Sequence, residues 1–193
     1  MLRLTDLIAL LTIIVWPVVP LFWIPVHGLS RIFKRLGLLT YLLPSILWPP
    51  IAYLVFINRE YLLQQKLEMP ALAVISGILL TSTGTLLHIW TGKLLGLWGL
   101  MGIPEVSRKI KGRLISEGPF RIVRHPTYLA HTLMFTGIFL FTGNIPVMIL
   151  TIIDFIIVNL LIIPLEEKEL LSRFGEEYLK YKEKVRNRFF PSL

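Results

Sequence analysis

The chain has 193 residues, of which 54% are hydrophobic and only 17% charged, with a mean hydropathy of +0.70. That apolar content exceeds the roughly 45–50% of ordinary soluble domains and excludes a water-soluble fold. The net charge of +8 lies in short stretches beside apolar runs, as membrane topology requires, so nucleic acid is not an expected partner; the lack of cysteine excludes disulfides and thiolate chemistry.

The first apolar run, residues 7–26, carries Pro17, Pro20 and Pro25 and lacks a small-residue cleavage site, which favours a retained helix over a signal peptide. Further runs cover residues 38–57, 70–98, 127–142 and 145–165, each near the roughly 17–25 residues a helix needs to cross hydrocarbon, the run at 127–142 being the shortest. The expected fold class is all-α, a polytopic membrane helical bundle of about five transmembrane helices.

The third run is long enough to tilt or to protrude, and its Gly92 and Gly96 have the G-x-x-x-G spacing that permits close helix contact. Gly77 and Gly84 are equally well read as glycines tolerated in a membrane helix. Trp16, Trp23, Trp48, Trp90 and Trp98 fall towards span ends, where indole favours the interface. Gly143, Asn144 and Pro146 leave so short a connection that the last two spans form an antiparallel hairpin.

Of the 20 Lys and Arg residues, 16 follow spans one, three and five. The positive-inside rule then places the N-terminus outside and the C-terminus in the cytoplasm. After Pro164 the chain turns polar, and Leu170, Phe174, Tyr178, Tyr181 and Val185 recur at helical spacing, predicting one amphipathic C-terminal helix with acidic residues first and basic residues last.

The stretch Glu117 to Tyr128, E-G-P-F-R-I-V-R-H-P-T-Y, concentrates the polar chemistry. Pro119 and Pro126 fix the backbone, and Pro126 biases His125 away from helical geometry, so its imidazole is presented from an irregular segment. Irregular backbone at that depth lines a polar cavity or is buried in protein; the simpler alternative is a helix boundary anchored by interfacial arginines. Glu166 and Glu167 can be helix-start charges or acceptors for a ligand's amino and hydroxyl groups. Both stretches lie on the cytoplasmic side, so His125, Tyr128, Arg124 and the two glutamates can converge on one pocket. His27, His88 and His131 show no metal spacing, His88 and Lys93 stand out as ionisable groups inside span three, and no phosphate-binding loop or strand-borne dinucleotide fingerprint is present.

The ordered combination of G-P-F-R-I-V-R-H-P-T-Y at 118–128, a helical hairpin, E-E-K-E at 166–169 and F-G-E-E-Y-L-K-Y at 174–181 resembles the isoprenylcysteine carboxyl methyltransferase family. Related phospholipid N-methyltransferases share much of the pattern. The resemblance implies one membrane domain over residues 1–193, three N-terminal spans at 1–98 and a cofactor loop, hairpin and C-terminal helix at 99–193. It implies S-adenosylmethionine as cofactor, held by Gly112, Arg113, Leu114, Ile115, Phe120, His125, Pro126, Thr127, Tyr128, Glu166 and Glu167. Phe120 replaces a Tyr common in the family, and Ile162 stands where eukaryotic prenylcysteine enzymes carry Arg. The expected reaction is methyl transfer to a lipophilic or lipidated acceptor from the bilayer, foremost a prenylcysteine-type carboxylate. An ionised carboxylate needs no general base, only a cation to place it, for which Arg124 leads Arg121 and Arg113. A phospholipid or amine N-methyltransferase, an NADPH-dependent reductase of the sterol type and a non-enzymatic scaffold or transporter component are the alternatives. No metal is expected.

Overall fold

A computed structural model describes residues 3–190; the ends of the expected domain, 1–2 and 191–193, lie outside the described residues. The described chain is helical, with no strand beyond an isolated bridge between Lys66 and Asn144. The first run folds as α1 (Leu4–Val15) and α2 (Val18–Gly28), which meet at Pro17, where a missing N–H breaks the ladder. Next come α3 (Ser30–Leu36), a 3-10 turn, α4 (Leu42–Ile57) and the short α5 (Arg59–Gln64), followed by α6 (Ala71–Leu100) and the single turn α7 (Ile103–Val106). The second half holds α8 (Pro126–Thr142), α9 (Ile145–Ile157), a π-turn (Val158–Ile162), α10 (Ile163–Phe174) and α11 (Glu176–Lys184).

Four continuous helical segments are long and apolar enough to cross a membrane: Leu4–Gly28, Ser30–Ile57, Ala71–Val106 and Ile145–Phe174. The run expected to be shortest is α8, at 17 residues, and it packs along α6. The glycines that allow this contact are Gly77 and Gly84. A methyl at either would sit 2.7 Å from a backbone oxygen of α8, that of Gly137 or of Ala130. The expected close contact at Gly92 and Gly96 is corrected: Gly96 adopts φ 69° and kinks the helix in open space, while Gly92 faces Leu100.

The hairpin forms as expected. Gly143 takes φ 66°, and the Asn144 side chain accepts from the Val147 N–H at 3.2 Å while donating to the Leu62 carbonyl at 3.0 Å. Two tryptophans are not simple interface anchors: Trp16 donates to Asp154 at 2.7 Å and Trp48 to the Ile14 carbonyl at 2.7 Å, tying α1 to α9 and to α4.

Pro164 does not end the last span. It has no N–H to donate, and the chain widens into the π-turn just ahead of it, so the helix runs on to Phe174. The single amphipathic helix expected beyond it is instead two, because Gly175 at φ 56° separates α10 from α11. The apolar face survives the break: Tyr178, Tyr181 and Val185 pack with Leu170, Phe174 and Leu114.

Candidate functional site

Residues 107–117 cross the end of the bundle without regular structure, turning at Gly112, whose φ of 70° and contact with Pro104 leave no room for a side chain. A 3-10 turn (Gly118–Arg121) follows, and His125, at φ −123° and ψ 58°, caps α8 ahead of Pro126. The segment is fastened to the C-terminal tail by backbone bonds from the Arg124 and His125 N–H groups to the Asn187 and Arg188 carbonyls, 2.9 and 3.1 Å. Tyr181 adds a hydroxyl bond to the Phe120 carbonyl at 2.8 Å. Buried backbone groups must be paired, and these bonds pair them where no helix does.

Between this segment, α2, α6, α7, α8, α10 and α11 lies a cavity of about 770 Å³. The loop contributes Gly112, Arg113, Leu114 and Ile115; the turn and helix cap contribute Phe120, Arg124, His125, Thr127 and Tyr128; α10 contributes Glu166. The structure thus brings together most of the residues singled out in the sequence. Pro126 and Glu167 stand behind the wall: Pro126 is buried at the start of α8, and Glu167 faces the cations that hold the segment. Arg121 points away and is exposed.

The geometry gives Arg124 a saturated guanidinium. Its Nε and Nη2 reach Glu167 Oε1 at 2.9 and 2.8 Å, and Nη1 donates to the Val185 and Arg186 carbonyls at 2.8 and 2.7 Å. Glu167 also meets Lys182 and Arg188 at 3.4 and 3.3 Å. His125 lies between the two acids, with Nε2 3.3 Å from Glu167 and Nδ1 3.4 Å from Glu166. Burial works against its charged form, but the two carboxylates outweigh burial and hold its pKa above the ordinary 6.5. The Glu166 contact is an ion-pair distance without hydrogen-bond geometry, and Glu166 Oε2 is left buried and unpartnered.

The cavity also recruits residues that carry no local motif. Trp23 comes from α2; His88 from α6 and His131 from α8 bring their rings within 4.8 Å, each with an unpartnered Nδ1. Glu105, Arg173 and Tyr178 line it with further unpartnered polar atoms. His88 was visible as an ionisable group within a span. The others need the folded contacts between distant helices to be found. Among the described residues no group of three or more His, Asp or Glu is placed to hold a metal.

Residues 72–177, which start at α6 and include all of α8 to α10, match the family model described as Phospholipid methyltransferase. The chain belongs to the phospholipid methyltransferase family. The match covers more than half the chain, and the pattern at 118–181 falls almost wholly inside it. This is the group of membrane methyltransferases to which the isoprenylcysteine enzymes are related, so the motif resemblance and the family match agree. No curated protein gives a significant match. The protein is therefore a membrane methyltransferase whose α1 to α5 lie outside the matched region.

Proposed function

We propose that this protein transfers a methyl group from S-adenosylmethionine to the head group of a membrane lipid, with the cavity at residues 112–128 and Glu166 as its cofactor site. The observation that carries the proposal is the buried Glu166 carboxylate, whose Oε2 lies 3.4 Å from His125 Nδ1 without a full hydrogen bond, on the wall of a cavity inside the region matched to the family. A volume of about 770 Å³ lies within the ~300–1,000 Å³ of small-molecule sites, and a buried carboxylate with acceptor capacity left suits the amino or hydroxyl groups of an adenosine. The donor residues on the wall fit the cofactor.

S-adenosylmethionine, when bound, supplies a methyl group already activated on a sulfonium. The chain's own residues hold, orient and exclude water. Glu166 accepts hydrogen bonds from the nucleoside, Tyr128 and Phe120 pack against it, and the loop at Gly112 to Ile115 closes over it through backbone groups. Arg124 and Glu167 position this wall by tying the motif to the C-terminal tail.

A phospholipid amine is the acceptor we favour, on the strength of the matched family. An alkylammonium must lose a proton before its nitrogen has a lone pair, and His88 and His131, each with a buried, unpartnered Nδ1, put two hydrogen-bonding imidazoles on the cavity wall for that amine. A prenylcysteine-type carboxylate is the second reading, supported by the R-H-P-T-Y and E-E-K-E pattern. Against it, the position that carries Arg in the prenylcysteine enzymes is Ile162, fully buried against Tyr128, Val158 and Phe189. The test is transfer of label from methyl-labelled S-adenosylmethionine to extractable lipid by purified protein. Label in phosphatidylethanolamine supports the first reading, label in a farnesylcysteine analogue the second, and none in either by folded protein contradicts both.

A further inference from the structure

One stretch of the cavity wall, where α7 meets α10, carries a charged pair that the roles assigned above leave unused. Arg173, on the last turn of α10, has a side chain only 8% exposed. Its Nη2 meets Glu105 Oε1 at 2.9 Å and Glu169 Oε2 at 3.3 Å. Its Nε and Nη1 are buried with no partner, and so is Glu105 Oε2. Glu169 is neutralised independently by Lys34 at 2.8 Å. The remaining pair therefore offers free donors of a cation and a free acceptor of an anion side by side, on a wall that also includes Pro104 and Gly112. Unsatisfied charged donors at such depth are costly, and a ligand that satisfies both groups removes the cost.

We propose that Glu105 and Arg173 form the subsite for the zwitterionic head of an α-amino acid, its carboxylate on Arg173 Nη1 and its ammonium on Glu105 Oε2. The inference rests on the cavity taking S-adenosylmethionine, whose amino-acid end has this chemistry. Arg is suited to the carboxylate because its guanidinium stays charged when buried and keeps donors to spare after Nη2 is engaged by Glu105 and Glu169. The chemistry of adjacent cation and anion also occurs in a phosphoethanolamine head. The position of the pair, beside the loop at Gly112 and on a different stretch of wall from the His88 and His131 rings, favours the amino-acid end of the cofactor.

The test is calorimetric, on the full chain in detergent, with S-adenosylhomocysteine, its decarboxylated analogue, 5′-methylthioadenosine and a short-chain phosphatidylethanolamine as probes. For the wild type, loss of the carboxylate is expected to weaken binding roughly tenfold to a hundredfold, the range of one charge-assisted hydrogen bond. R173Q and E105Q are expected to bind S-adenosylhomocysteine more weakly while binding 5′-methylthioadenosine as the wild type does. Equal wild-type affinity for S-adenosylhomocysteine and 5′-methylthioadenosine would overturn the subsite, and that arm needs no variant to fold. Variants that lose the lipid but keep S-adenosylhomocysteine would also overturn it and give the pair to the lipid head. Failure of the wild type to bind any of the nucleosides would instead sink the cofactor proposal beneath it.

Discussion

Arg124 and Glu167 are joined Nη2 to Oε1 at 2.8 Å, with both side chains less than a tenth exposed. The pair links the cap of α8 to α10 and, through two backbone carbonyls of residues 185 and 186, to the C-terminal tail. It holds the cavity wall together from behind. Removing Glu167 leaves Arg124 as a buried charge without its counter-ion, which costs about 3–5 kcal/mol, whereas removing Arg124 leaves Glu167 with Lys182, Arg188 and His125. R124A and E167A are both expected to lower the thermal midpoint in detergent, E167A by more. The double variant R124M/E167L is expected to recover part of the loss. A single variant with unchanged stability would contradict this structural role.

His125 makes the wall sensitive to pH. Its pKa is raised in the folded protein, because Glu166 and Glu167 outweigh the effect of burial. A group raised on folding contributes stability that is fully present below its unfolded value near 6.5 and lost as pH rises through the folded value. Thermal stability is therefore expected to fall as pH rises above the ordinary 6.5, and H125N is expected to flatten that part of the profile. The groups that bear on the ring are Glu166, Glu167 and Tyr128, so the profile measured in E166Q separates the two carboxylates. An unchanged slope in H125N would assign the transition elsewhere.

The contact between α6 and α8 depends on the absence of side chains. At Gly77 a methyl would sit 2.7 Å from the Gly137 carbonyl oxygen and from the Phe141 nitrogen, both backbone atoms that cannot turn aside. G77A is expected to destabilise by about 1–3 kcal/mol through overpacking, whereas G96A strains a backbone at φ 69° with open space around it. Unfolding midpoints of the two variants distinguish steric crowding from lost backbone freedom. Wild-type stability in G77A would show that the helices separate at no cost.

Orientation is accessible because the chain has no cysteine. The excess of Lys and Arg after spans one, three and five predicts that Lys109 and Glu183 face the cytoplasm and Glu68 the opposite side. Single cysteines at these exposed positions are expected to react with an impermeant maleimide on intact cells only at position 68, and at 109 and 183 after permeabilisation. The reverse pattern would invert the topology.

Much of this was legible in the sequence, for identifiable reasons. Apolar runs of membrane length and the Gly143, Asn144, Pro146 turn act locally, so the helices and the hairpin were readable. So was the convergence of the motif at 118–128 with Glu166, because each element brings its residues as a block. The continuation through Pro164 was not, since a π-turn that accommodates a missing donor leaves no mark in hydropathy. Gly77 and Gly84 could not be separated from Gly92 and Gly96, because what distinguishes them is the partner helix opposite. Glu105 and Arg173 were invisible as a pair: they lie far apart in the chain, and each looks like an ordinary charge at a span boundary.

Whether the cavity holds S-adenosylmethionine is decided most directly by calorimetric binding of S-adenosylhomocysteine to detergent-purified wild type and to E166Q. E166Q removes the charge and one of the two acceptor oxygens, which should weaken a ligand hydrogen-bonded to the carboxylate by roughly tenfold or more. Saturable micromolar binding by the wild type is expected, with at least that loss in a folded E166Q. No binding by folded wild type, or equal binding by both proteins, would contradict the cofactor site.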